Sequence, residues 1–150
     1  MPHILIAADA DRVIEEVTSA LEDDATTFVV CRSGPEVLRV VGKEEPDLAI
    51  LDMQIGNMGG VAICMDLRLE EGAHRLDYVP VLLLLDRRAD VFLARRCGAE
   101  AWLIKPLDSF RLRRAAVIAE QGEPYQEGVP EPVVVPVVEE NPTDGAEATG

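Results

Sequence analysis

The chain has 150 residues and carries 28 Asp+Glu against 14 Lys+Arg, a formal net charge of −14, with 48% apolar and only 4% aromatic residues. That length fits one ordinary domain with residues to spare, built on an aliphatic core. So acidic a chain repels nucleic acid and anionic membrane surfaces at long range, and its apolar runs are no longer than Val79–Leu85, far below the roughly 20 residues that span a bilayer.

The N-terminus, MPHILIAADADR, lacks a basic leader and a small-residue cleavage site, so a cytoplasmic protein is expected. Cys31, Cys64 and Cys97 are odd in number and widely spaced, which suits reduced, buried thiols better than disulfides or a metal site. Charge and proline divide the chain in two. Residues 1–120 hold 21 acidic and 14 basic groups, whereas residues 121–150 hold seven acids, no Lys or Arg, and half of the ten prolines. This predicts a domain over 1–120 and a Pro-rich acidic tail over 121–150.

In chain order, His3–Ala7 is a short apolar run, followed by Val13, Val17 and Leu21 at helical spacing. Thr27–Cys31 is β-branched and apolar, and Ser33-Gly34-Pro35-Glu36 then reads as a helix start leading Val37, Leu38, Val40 and Val41. Leu48–Leu51 stops at Asp52, and a Gly-rich loop, Gly56–Gly60, precedes a helical pattern in Val61, Cys64, Met65 and Leu67. Val79–Leu85 is followed by Val91, Phe92 and Ala94 to Cys97, and Ala101–Ile104 ends at Lys105-Pro106 before a helix over Phe110–Glu120. Five continuously apolar strands, each followed by a helix, predict an open, doubly wound α/β sheet covered on both faces. Neither GxGxxG nor GxxxxGK[ST] occurs, so nucleotide binding has no motif behind it.

In such sheets chemistry gathers at the carboxyl ends of the strands. There stand Asp9, Asp52 and Lys105, the last being one of only two lysines. Two neighbouring carboxylates repel unless a cation lies between them, and a hard ion such as Mg²⁺ suits their oxygens. With a metal bound, one carboxylate can attack a phosphoryl group while an ammonium neutralises the transferred charge. The plainer alternative is that the aspartates cap their loops and Lys105 pairs with one of them.

The segment Leu48-Ala-Ile-Leu-Asp52-Met-Gln-Ile-Gly-Asn-Met-Gly-Gly60, together with Gly98-Ala-Glu-Ala-Trp102-Leu-Ile-Lys105-Pro106, resembles bacterial response-regulator receiver domains over roughly residues 3–120. The resemblance implies a five-stranded parallel sheet of order 2-1-3-4-5 flanked by five helices. It implies Asp52 as phosphoacceptor from a histidine kinase, Lys105 as the phosphate-contacting lysine, and a Mg²⁺ site from Asp9, Asp52 and the backbone carbonyl of Gln54. It also implies a cis bond before Pro106.

Several positions depart from that pattern. Ala8 stands where the family has a first acid, which weakens the pull on Mg²⁺ by one negative charge, and Leu85 where it has Thr or Ser; Asp86 follows and adds repulsion near an incoming phosphate. Gly56–Gly60 replaces the usual Pro-x-x-Asp-Gly and predicts a looser loop, and Trp102, at the switch aromatic, is bulkier than the common Tyr or Phe and less suited to swing inward. Arg87, Arg88, Arg95, Arg96, Arg111, Arg113 and Arg114 gather on the last two helices, either as solvated surface or as a protein-docking face. Within the tail, Val133, Val134 and Val135 in a proline-punctuated run suit a docking arm or a guarded flexible segment. Together these departures predict an atypical stand-alone receiver, without enzymatic activity of its own, acting as an interaction module or accessory subunit of a larger assembly, such as a respiratory NADH dehydrogenase complex, with little phosphorylation switching. The alternative is a working single-domain phosphoreceiver.

Overall fold

The computed structural model describes residues 2–56 and 58–129. The apolar runs form strands β1 (His3–Ala7), β2 (Thr27–Cys31), β3 (Leu48–Asp52), β4 (Val81–Leu85) and β5 (Ala101–Ile104). Between and after them lie helices α1 (Asp11–Leu21), α2 (Gly34–Glu44), α3 (Gly60–Gly72), α4 (Val91–Arg96, entered through a 3-10 turn at Arg88–Asp90) and α5 (Ser109–Glu120). A sixth strand, β6 (Tyr125–Gln126), follows. All pairings are parallel and the sheet runs β2-β1-β3-β4-β5-β6.

Strand alternation divides the core into two layers. Leu5, Ala7, Ala49, Leu51, Val81, Leu83, Leu85 and Trp102 share one cluster with residues of α2, α3 and α4. Ile4, Ile6, Leu48, Ile50, Leu82, Leu84, Ala101 and Leu103 share the other with Val13, Val17 and Ala20 of α1 and Leu112, Ala115, Ala116 and Ala119 of α5. Both faces are covered, which is why these strands read as unbroken apolar runs. The α2 start is built as expected: Ser33 caps it by accepting from the Glu36 N–H, with Pro35 in the first turn.

Two boundaries differ from the expectation. The fourth strand begins at Val81, because Pro80 has no N–H for the ladder; its carbonyl accepts from Ala49 at 2.9 Å instead. The sheet also has six strands, not five. After α5 the chain turns through Gly122, whose N–H donates to Ala119 O at 2.8 Å while that of Glu123 donates to Ile118 O at 3.2 Å, a helix stop of the Schellman type. It then runs back parallel to β5, with Tyr125 opposite Ala101 and Gln126 opposite Trp102. Composition assigned this segment to the tail; hydrogen bonding makes it part of the sheet. Gly128, at φ 72°, passes so close to Ile104 and Val91 that an added Cβ would meet their side chains at 2.9 and 3.1 Å. Residues 130–150, and with them Val133, Val134 and Val135, lie outside the described residues.

Candidate functional site

Parallel strands place the ends of β1, β3, β4 and β5 at one edge of the sheet, so the residues just beyond them become neighbours. Asp52 closes β3 and is 1% exposed. Lys105, one residue past β5, reaches across with its Nζ 2.6 Å from Asp52 Oδ1. Its peptide bond to Pro106 is cis, as the resemblance implies. The Gln54 N–H donates to the same Asp52 oxygen at 3.3 Å. Gly60 is fixed by this packing: a Cβ there would lie 2.4 Å from the Asp52 carbonyl oxygen.

Two glycines of the loop after β3 make hydrogen bonds. The Gly56 N–H donates to the Asp9 carboxylate, and that of Gly59 donates to Ile55 O at 2.9 Å. Asp9 thus faces the loop after β3 from the end of β1, and its carbonyl accepts from Arg32 Nη1 at 3.0 Å. Ala8 is fully buried in the α1/α5 cluster, where a methyl fills the position of an acid.

Asp86 does more than the repulsion expected of it. Its Oδ1 accepts from Lys105 Nζ at 2.8 Å and its Oδ2 accepts from Gln54 Nε2 at 2.7 Å, so it holds the lysine instead of merely repelling an anion. Burial of Lys105 disfavours its charge, but the bonds from Asp52 and Asp86 outweigh this and raise its pKa. Burial likewise opposes ionisation of Asp86, and Lys105 and Gln54 more than offset it, holding the carboxyl below its usual range. The clue in the sequence is that Asp86 follows its strand as Asp9 follows β1.

Trp102 lies in the interior in this structure. It points inward and is 1% exposed, and its indole N–H donates to the Glu127 carbonyl at 2.8 Å. The larger ring fits because the last strand supplies an acceptor for its one polar atom. Leu85, in the same core cluster, is fully buried and offers no hydroxyl.

Among the described residues, no group of three His, Cys, Asp or Glu side chains is arranged to hold a metal. The donor set nevertheless suits Mg²⁺. Asp9 Oδ1 and Asp52 Oδ2 have no hydrogen-bond partner among the described residues, and two carboxylate oxygens plus the Gln54 carbonyl, completed by waters, match that ion's preference.

A family model for the response regulator receiver domain matches residues 4–117. The chain belongs to this family. The receiver is 32% identical over 108 residues to the transcriptional regulatory protein CseB of Streptomyces avermitilis, covering 71% of this chain and 43% of that one. It is 26% identical over 126 residues to the transcriptional regulatory protein AfsQ1 of Streptomyces coelicolor, covering 82% and 53%. The receiver therefore spans about half the length of these curated relatives. Among solved structures it resembles the signal receiver domain of a signal transduction histidine kinase from Syntrophus aciditrophicus, with TM-score 0.70 and 28% identity over 88% of this chain and 99% of that one.

The arginines divide into two sets. Arg111 donates to Ile104 O and Pro106 O, each at 2.9 Å, and pairs with Asp108 and Glu127; Arg113 donates to Ala20 O of α1 at 2.7 Å. Arg111 is half-buried and Arg113 exposed, and both spend their guanidinium groups on bonds within the receiver. Arg87, Arg88, Arg95, Arg96 and Arg114 are exposed, with Arg87 paired to Asp90 and Arg96 lying over the Phe92 ring at 4.4 Å. Glu127 had no signal of its own in an acidic tail, although Gly122, Tyr125 and Gly128 around it mark a turn, a strand and a close approach. No helix among the described residues is long and apolar enough to cross a membrane.

Proposed function

We propose that this receiver accepts a phosphoryl group on Asp52 from the phosphorylated imidazole of a histidine kinase. The single observation that carries the reading is the Lys105 ammonium held 2.6 Å from the Asp52 carboxylate at the strand ends. A carboxylate oxygen of Asp52 attacks phosphorus, the P–O bond of an acyl phosphate forms, and the P–N bond breaks with its electron pair left on the imidazole, which takes a proton from water. Lys105 then offers its N–H groups to the phosphoryl oxygens. Asp9, Asp52 and the Gln54 carbonyl are the residues that would hold Mg²⁺, which when bound neutralises charge on the phosphoryl group. The regulatory proteins to which the chain is similar support this reading over one without phosphate. Incubation with acetyl phosphate and Mg²⁺, followed by intact mass, is expected to show one added phosphoryl group that Asp52→Asn abolishes; an unmodified native chain would overturn the proposal.

Two observations favour a second reading. Leu85 cannot bond a phosphoryl oxygen, and Trp102 is already inside the core. Both features support a protein-binding module or stable subunit that works without phosphorylation. Partner affinity that is unchanged by the Asp52 adduct is the outcome expected of the second reading alone.

A further inference from the structure

The acids of this site are distributed unusually. At the end of β1, Ala8 withholds a carboxylate and buries a methyl in its place. At the end of β4, Asp86 supplies one, fixed at both oxygens by Lys105 at 2.8 Å and Gln54 at 2.7 Å. We propose that Asp86 is a positioning residue that divides the Lys105 ammonium between itself and Asp52, and thereby slows phosphoryl uptake at Asp52. This rests on the phosphoacceptor reading.

An ammonium has three N–H donors. Here two are committed, one to Asp52 Oδ1 and one to Asp86 Oδ1. A phosphoryl group arriving at Asp52 must recruit the remaining donor or draw Lys105 away from Asp86, breaking a charge-assisted bond. Asp86 also stands nearer the solvent, its side chain 26% exposed against 1% for Asp52. An anionic phosphodonor approaching the acceptor therefore meets a second carboxylate, and like charges repel. Gln54 prevents an easy escape, because Asp86 cannot rotate outward without losing that bond as well.

The test is the rate of phosphoryl uptake from acetyl phosphate in saturating Mg²⁺, followed by intact mass in the native chain, Asp86→Asn, Asp86→Ala and Asp86→Glu, with Asp52→Asn as the blank. Asp86→Asn and Asp86→Ala are expected to raise kcat/KM about tenfold, the scale of one charge-assisted bond. Asp86→Glu, which restores the charge, is expected to stay near the native rate. The gap between native and Asp86→Asn should narrow as salt is added, since the repulsion is screened; a purely structural role would leave that gap independent of salt. Melting curves identify any variant that fails to fold, and the remaining variants still decide the matter. Uptake by Asp86→Asn and Asp86→Ala no faster than native overturns this inference alone. Absence of uptake in every variant overturns the phosphoacceptor reading and this one together.

Discussion

The indole Nε1 of Trp102 donates to the carbonyl oxygen of Glu127 at 2.8 Å, joining the core of the sheet to the strand added at its edge. The side chain of the same glutamate accepts from the Ile104 N–H at 2.9 Å and from Arg111 Nε at 2.7 Å. Arg111 in turn bonds the carbonyls on either side of Lys105. The final strand, the aromatic position and the turn carrying the site lysine are thus one hydrogen-bonded unit.

Glu127→Ala is expected to destabilise the receiver by about 1–3 kcal/mol, the cost of leaving a buried N–H and a guanidinium without their acceptor. Trp102 emission should shift to the red as its surroundings become wetter. Urea unfolding followed by fluorescence measures both, and an unchanged midpoint with unchanged emission would show that the last strand is dispensable.

The same pair sets a pH dependence. Burial opposes ionisation of Glu127, but Arg111 and the Ile104 N–H outweigh it and hold the carboxyl below the ordinary 4.5. A carboxyl depressed by folding contributes stability that is fully present above its unfolded pKa and is lost as pH falls through its folded one. The native chain should therefore lose more stability below about pH 4.5 than Glu127→Gln does. Parallel unfolding curves for the two proteins from pH 7 to pH 3.5 would argue against the pair.

Lys105→Met leaves Asp52 buried without its ammonium and is expected to cost about 2–3 kcal/mol, whereas Asp52→Asn, which keeps an acceptor for the lysine, should cost far less. Equal losses measured by chemical denaturation would mean that Asp52 draws its stabilisation from elsewhere.

Leu85→Thr installs a hydroxyl at the end of β4 at the expense of a fully buried side chain. The expected loss is about 3 kcal/mol from the smaller side chain and the buried polar atom. The gain should appear in the phosphorylated protein, where Trp102 fluorescence responds more strongly to the adduct than in the native chain. Identical responses would separate that position from any change around Trp102.

Ala8→Asp places a carboxylate within an apolar cluster. Without metal its Tm should fall below that of the native chain, and Mg²⁺ should raise the variant's Tm by more than the native one's, because the ion binds the folded state. A Tm indifferent to Mg²⁺ in both proteins would place the cation away from this end of β1.

The strands, their parallel pairing and the positions of Asp52 and Lys105 were legible because buried parallel strands write unbroken apolar runs and polar residues mark where they stop. Asp86 was visible as a residue but not as a partner, since its bond to Lys105 depends on how far two loops approach each other. The interior place of Trp102 was hidden for a related reason: the acceptor for its N–H is a carbonyl twenty-five residues onward. The last strand escaped notice because two residues carry no periodicity, and its anchor, Glu127, differs in nothing but position from the other acids of the tail.

That short strand also decides where the chain leaves the domain. A protein ending its fold at Glu120 would exit at the end of the sheet from which the strands begin. By running Tyr125–Gln126 parallel to β5, the receiver carries its chain back to the opposite end and delivers Val129 against the core beside Ile104. A reporter fused after that point would start its path from the end of the sheet that holds Asp52 and Lys105.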